Sequence, residues 1–149
     1  MSSEPIDCDT ATGQELAGAV ADYIEEHGWT TGTLFDHEGN VCLVGAIAGV
    51  CVGDPQVGYM LLQGYRAFDA PRTGVPQSII QLATALDPVL SYRAVIGPEE
   101  NEAHGYGENV VRVSDGALII YNDHVVSGMD ELIGTLRKVQ NGEPVVTDA

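Results

Sequence analysis

The sequence predicts a mainly α-helical protein at the margin of the α+β class, folded as a single compact domain of about five helices. Apolar residues recur at helical spacing in several segments that lie between capping and breaking residues, whereas one short stretch has the pattern of a β-hairpin. With 44% hydrophobic residues, a chain of 149 residues can bury a core. We expect a flexible arm over residues 1–11, a globular domain over 12–142 and a tail over 143–149.

The first helix is predicted over Gly13–His27. Thr12 is a good N-cap residue, and Glu15 lies three positions later, which is the spacing of a capping box. Gly28 follows the last periodic residue and is a natural helix stop. The apolar face of this helix consists of Leu16, Val20, Tyr23 and Ile24.

The second helix is predicted over Val41–Val52, which contains no charged residue. A helix that is apolar on all sides is expected to be central, although a buried strand at the start of this segment is an alternative. Gly45, Gly49 and Gly53 repeat every four residues, and glycine weakens a helix by about 1 kcal/mol relative to alanine. The repeat indicates close backbone approach to a neighbour, either within the domain or across a dimer.

Two further helices are predicted, each with a proline at its N-terminus. Asp54 and Pro55 form a cap followed by a proline at the first helical position, and this helix is expected to end before Pro71. The next helix is predicted to start at Pro76, with a restart or kink at Asp87–Pro88, and to end near residue 92.

The predicted β-hairpin lies near residues 110–121. Val110–Val113 and Ala117–Tyr121 have strand composition, and Ser114–Gly116 between them is a turn signal. A last amphipathic helix is expected to be capped by Ser127 and stopped by Gly142.

The charge of the chain excludes two classes of partner. It has 22 acidic and 6 basic residues, which gives a formal net charge of −16. Direct binding to nucleic acid or to an anionic membrane needs clustered Lys and Arg. The acids are spread over both halves of the chain, which favours a solvated acidic surface over a phosphate-like track that would mimic DNA. A basic protein is therefore the expected partner.

The three cysteines, Cys8, Cys42 and Cys51, are an odd number without a C-x-x-C spacing, so we expect no disulfide framework and no zinc site. The first ten residues lack the basic and apolar regions of a signal peptide. The longest uncharged apolar stretch is too short to span a bilayer. These features predict a reducing, cytoplasmic location.

Two segments resemble an uncharacterised small-protein family of actinobacteria and their phages. The first runs through His27-Gly28-Trp29 to Cys42 and Gly45, and the second is Tyr121-Asn122-Asp123 leading into Asp130–Leu136. In that family the second motif usually begins with Trp, which Tyr121 replaces here. The resemblance implies a compact helical fold and a phage or actinobacterial origin, in which case the location is the host cytoplasm, but no activity. The motif residues expected to be structural are Trp29, Cys42, Gly45, Tyr121, Asn122 and Asp123.

Cys42 and His124 are the candidate catalytic residues. A thiol at a helix start has a lowered pKa, and a cysteine there with a later histidine follows the order of papain-like hydrolases, with Asn122 as a third group. The alternative is that Cys42 is a buried hydrophobic residue. Asn122 and Asp123 are expected to hold the hairpin against the last helix, or else to line a pocket with Cys42.

No cofactor or metal is predicted. Asp36, His37 and Glu38 are adjacent, but consecutive side chains do not converge easily on one ion, and the H-E-x-x-H and calcium-loop spacings are missing. The glycine repeat lacks the lysine of a phosphate-binding loop.

The function predicted from the sequence is that of a non-enzymatic acidic binding protein, encoded by a phage, that modulates a host or phage protein. One alternative is a hydrolase or transferase that uses Cys42 and His124. Another is a self-assembling structural protein whose homo-oligomer forms through the helix carrying Gly45, Gly49 and Gly53.

Overall fold

The computed structural model describes residues 6–89 and 117–145, and in these ranges the chain is helical without a β-sheet. Its helical character confirms the predicted fold class. Helix α1 packs most extensively on α6, and α4 and α2 also pack against it. The six α-helices described are α1 (Gly13–His27), α2 (Leu43–Val52), α3 (Gly58–Leu62), α4 (Gln77–Ala85), α5 (Ala117–Ile120) and α6 (Met129–Gln140).

Helix α1 has the boundaries that its capping residues predict. The Thr12 hydroxyl accepts a hydrogen bond from the Glu15 amide at 3.1 Å, and the Glu15 carboxylate accepts one from the Thr12 amide at 2.9 Å. At the other end, Gly28 adopts a positive φ of 94°, which glycine tolerates at no steric cost. These signals are local to the sequence, which is why they locate the helix so well.

Helix α2 is the central helix of the fold, since every residue from Leu43 to Val50 is buried. A Cβ atom on Gly45 would overlap the carbonyl oxygen of Leu34, and one on Gly49 would overlap the ring of Tyr23. The close approach that the glycine repeat indicates therefore occurs within the domain. Gly53 has a different role, because it ends the helix in the left-handed conformation with a φ of 79°.

The third predicted helix is shorter than the sequence suggests. A 3₁₀ turn over Pro55–Val57 leads into α3, which ends at Leu62 rather than close to Pro71. Gly64, with a φ of 96°, turns the chain back, and Tyr65 then pairs with Arg72 in an antiparallel bridge. Helix α4 is followed by a 3₁₀ turn over residues 87–89, and the predicted end near residue 92 lies outside the described residues.

The prediction of a β-hairpin is wrong for the second strand. Ala117–Ile120 forms helix α5, which continues as a π-helical turn over Tyr121–Val125. Leu118 and Tyr121, three residues apart, are both buried, which is a helical spacing. A short apolar run fits either period, so the packing decides its conformation. Residues 110–116, which include the first predicted strand and the turn, lie outside the described residues.

A disulfide joins Cys8 to Cys51, with 5.6 Å between their Cα atoms, so the expectation that the cysteines form no disulfide framework is wrong for this pair. The amide of Ile6 also donates to the carbonyl of Val50 at 3.3 Å, and the Ser78 hydroxyl donates to the carbonyl of Cys8 at 2.7 Å. Residues 6–11 of the predicted flexible arm are thus fastened to the domain. Cysteines that lie far apart in the sequence can pair only if the fold brings them together, and the sequence alone does not show which cysteines the fold brings together.

Helix α6 starts two residues after Ser127. The Ser127 hydroxyl does not cap the helix but donates to the Glu131 carboxylate, and Gly142 ends the helical region with a φ of 75°. No single helix in the described ranges is long and apolar enough to cross a membrane, whereas α2 with Pro55–Leu62, a pair bent by 115°, meets the criteria of length and composition.

Candidate functional site

Asn122 is completely buried at the start of the π-helical turn, and its side chain is hydrogen-bonded to two separate parts of the fold, the loop after α1 and the start of α2. Its Oδ1 accepts from the indole Nε1 of Trp29 at 2.6 Å and from the amide of Leu43 at 3.0 Å. Its Nδ2 donates to the carbonyl of Thr30 at 3.2 Å. A buried amide with its hydrogen-bonding groups engaged in this way stabilises the fold and leaves little capacity for a substrate.

Asp123 extends this arrangement towards the loop after α1. Its Oδ1 accepts from the amide of Gly32 at 3.0 Å and from Nδ2 of Asn122 at 2.9 Å. The structure therefore brings together the two sequence motifs, and we call Trp29, Cys42, Asn122 and Asp123 the motif cluster. It holds the π-helical turn against the loop that follows α1 and against the start of α2, rather than against α6.

Tyr121 points to a different neighbour. Its side chain is buried and hydrogen-bonds the side chain of Thr135 on α6. Burial is the main cause that raises the pKa of the Tyr121 hydroxyl above its ordinary value. Tyr121 and the adjacent Asn122 thus bind opposite neighbours of the π-helical turn, the last helix and the early loop.

Cys42 lies at the predicted helix start, where its Sγ accepts a hydrogen bond from the Gly45 amide at 3.3 Å and caps α2. The residue is 4% exposed. Burial raises the pKa of the Cys42 thiol, an effect that outweighs the lowering by the amides at the helix start. A neutral, inaccessible thiol is a poor nucleophile.

His124 is exposed, and no hydrogen bond joins it to Cys42 among the residues described. A nucleophile and its general base must come within hydrogen-bonding reach. The structure therefore does not assemble Cys42, His124 and Asn122 as a catalytic group: the cysteine and asparagine are buried in separate capping roles, and the histidine faces solvent.

The acidic turn between α1 and α2 is organised by Asp36. Its carboxylate accepts from the amides of Glu38 at 2.9 Å and Asn40 at 3.0 Å, and from Nδ2 of Asn40 at 2.9 Å. The side-chain hydrogen bond from Asn40 is the main cause that lowers the pKa of Asp36. Across the described ranges, no three His, Cys, Asp or Glu side chains are grouped so that they could hold a metal ion.

A pocket of about 220 Å³ lies beside this turn, and none of the sequence motifs indicates it. The rings of Tyr23 and His27 stack within it, with 4.0 Å between their centroids and 18° between their planes. They come from one face of α1, whereas the other walls come from two later segments, so no local motif marks the site. We call it the aromatic pocket; its lining residues are Tyr23, His27, Phe35, Gly39, Val41, Asp54, Pro55 and Gln56.

The aromatic pocket is electronegative. Burial raises the pKa of the Tyr23 hydroxyl, and the charges of Glu26 and Asp54 raise it further. No lysine or arginine is among the lining residues, and Phe35 is 41% exposed. Aromatic rings next to unneutralised carboxylates favour a cationic ligand.

A larger cavity, of about 650 Å³, lies between α1, α4 and the end of α6. Glu143 is the single ionisable residue of its lining, and the remaining walls are neutral. It offers no grouping of charged or reactive side chains comparable to that of the aromatic pocket.

The family model described as a family of unknown function, DUF6197, matches residues 9–141. The chain belongs to this family. The DUF6197 match includes both motifs and also the middle of the chain between them. No curated protein matches the chain, and no solved structure does. The motif cluster and the aromatic pocket both lie within the matched residues.

Proposed function

We propose that this DUF6197 protein is a non-enzymatic binding protein whose acidic surface engages a basic protein. The observation that carries the proposal is the excess of surface carboxylates over basic residues. Among the described residues, the ion pairs join Arg66 to Asp9, and Arg137 to Asp22 and Glu25. Other carboxylates, such as Glu26 and Glu38, have no basic partner there and attract a basic surface.

The chemistry of the motif cluster supports a binding role over an enzymatic one. Cys42 is buried with a raised pKa, and Asn122 is engaged in internal hydrogen bonds. Neither group is available to a substrate, which supports a role for Cys42 and Asn122 in holding the fold. Self-assembly through α2 has no support from the packing, because Gly45 and Gly49 already contact residues of the same chain.

The proposal retains two expectations: an origin in actinobacteria or their phages, which the family resemblance implies, and action on a host or phage protein in the cytoplasm. The Cys8–Cys51 disulfide argues against the second, because disulfides are typical of oxidising compartments. Trapping the thiols with an alkylating agent in a denaturing lysis buffer, so that the buried Cys42 also reacts, followed by mass measurement, would decide it. A cytoplasmic protein would be recovered with three alkylated cysteines, and an oxidised one with a single alkylated cysteine.

A binding experiment tests the proposal directly. The immobilised protein is exposed to a basic probe protein such as lysozyme and to an acidic probe of similar size, at low and moderate salt. Selective binding of the basic probe at moderate ionic strength is expected, with affinity that falls as salt rises. The matched variants Glu26→Gln and Asp130→Asn each remove one exposed carboxylate. Absence of binding to the basic probe even at low salt would refute the proposal.

A further inference from the structure

We propose that the aromatic pocket binds an arginine side chain of the basic partner. The proposal rests on the proposed function and adds to it the place and the chemical group of recognition. Tyr23, His27 and Phe35 supply aromatic faces, and Asp54 supplies a carboxylate at the same cavity. A guanidinium group is planar and cationic, so it can stack on an aromatic ring and hydrogen-bond a carboxylate at once.

The size of the pocket fits a single side chain. Its volume is about 220 Å³, whereas the pockets that enclose whole small-molecule ligands begin at roughly 300 Å³. An arginine side chain, long and flat, can enter from a partner's surface while its backbone stays outside. A cofactor of ordinary size would not be enclosed here.

The free hydrogen-bonding groups of the pocket are acceptors, so they suit a ligand that donates hydrogen bonds. Asp54 uses Oδ1 to accept from the Gln56 amide at 3.0 Å, which leaves Oδ2 without a partner among the described residues. The Nδ1 atom of His27 lies 3.0 Å from the carbonyl oxygen of Tyr23, so Nδ1 carries the proton. In the neutral imidazole, Nε2 is then an acceptor. Guanidinium has five N–H donors and no acceptor, which complements these groups.

The motif cluster supports the shape of the pocket. Val41, a lining residue, pairs with Trp29 in a parallel bridge and with Phe35 in an antiparallel bridge. Trp29 is in turn held by Asn122. The position of Phe35 at the mouth of the pocket is therefore linked through Val41 to the motif cluster. The buried hydrogen bonds of the motif cluster therefore help to hold Phe35 where it can contact the arginine.

The test uses a short capped peptide, Gly-Arg-Gly, titrated into the full-length protein and observed by NMR. Control peptides carry lysine or uncharged citrulline in place of arginine. We expect the arginine peptide to shift the ring signals of Tyr23 and Phe35 and to bind more tightly than the lysine peptide, and the citrulline peptide not to bind. Equal binding of the lysine and arginine peptides would overturn the assignment of arginine.

Variants locate the site. Phe35→Ala and Asp54→Asn are each expected to weaken arginine-peptide binding by at least about fivefold, and asparagine keeps the capping oxygen of residue 54. The controls Phe68→Ala and Asp69→Asn make the same changes at exposed residues that do not line the pocket, and less than about a twofold effect is expected.

The outcomes separate this proposal from the proposed function. If the arginine peptide binds but the pocket and control variants behave alike, the pocket assignment is wrong while binding to basic partners stands. If the peptide does not bind at millimolar concentration although lysozyme does, the pocket assignment is again wrong. If neither binds, the proposed function fails as well.

Discussion

The indole Nε1 of Trp29 lies 2.6 Å from the side-chain oxygen of Asn122, although 93 residues separate the two in the sequence. The same oxygen accepts a hydrogen bond from the amide of Leu43, the first residue of α2. Amides in the first turn of a helix have no partner within the helix. Asn122 therefore completes the capping of the central helix from a distant part of the chain.

Asn122→Ala is expected to destabilise the protein by about 3 kcal/mol, because the Trp29 indole and the Leu43 amide would each lose a buried acceptor. Urea unfolding followed by Trp29 fluorescence measures the change. His124→Ala is the control: the exposed side chain two positions away should alter the free energy of unfolding by less than about 0.5 kcal/mol. Similar values for the two variants would contradict the role given to Asn122.

Two glycine substitutions should change the stability of the protein in opposite directions. Gly45→Ala places a methyl group on the carbonyl oxygen of Leu34 and is expected to destabilise by about 1–3 kcal/mol. Gly134→Ala, in the exposed part of α6, meets nothing within 4 Å and should stabilise by about 0.5–1 kcal/mol. Thermal unfolding of both variants compares them directly. A neutral Gly45→Ala would argue against close packing of α2.

The native, oxidised protein should show no fast-reacting thiol at neutral pH. Cys8 and Cys51 are joined, and burial raises the pKa of Cys42. Unfolding without reductant should release one reactive thiol per chain, which the Cys42→Ser variant should lack. Colourimetric thiol titration gives the count. Rapid stoichiometric modification of folded protein would instead restore Cys42 as a candidate nucleophile.

The turn at Asp36 should make stability depend on acid pH. Its pKa is lowered from the ordinary 3.8, chiefly by the Asn40 side chain. A lowered pKa stabilises the folded state above the unfolded-state pKa, and this contribution is lost as the pH falls through the folded-state pKa. Asp36→Ala should therefore lower the urea midpoint at pH 7, with a difference that shrinks below about pH 3.8. Glu38→Ala is the control: it removes a carboxylate of the same turn that accepts no hydrogen bond among the described residues, so the urea midpoint at pH 7 should stay close to that of the unmodified protein.

The sequence predicts the parts of the fold that depend on neighbouring residues. Thr12, Glu15 and Gly28 define α1 because capping acts over three or four positions. The uncharged composition of α2 likewise indicates its central place. The run Ala117–Tyr121 fails as a prediction because its five residues fit a strand or a helix, and contacts made by Leu118 and Tyr121 select the helix.

The candidate site is harder to predict, since it is made by distant segments. The two motifs can be seen separately, but the hydrogen bonds of Asn122 to Trp29 and Leu43 exist only after folding. The same holds for the disulfide, which spans 43 residues. The aromatic pocket joins α1 to Phe35 and Asp54. The spacing of residues within one segment cannot show that distant segments come into contact.

The π-helical turn over Tyr121–Val125 has a consequence for insertions and deletions. In an α-helix each residue rotates the direction of the next side chain by about 100°. Removing one residue from this turn would leave composition, charge and hydropathy almost unchanged, yet it would aim a different side chain at Trp29. The direction in which these five residues project their side chains thus decides whether Asn122 reaches the Leu43 amide and completes the capping of the central helix, so length polymorphism at this place would be poorly tolerated.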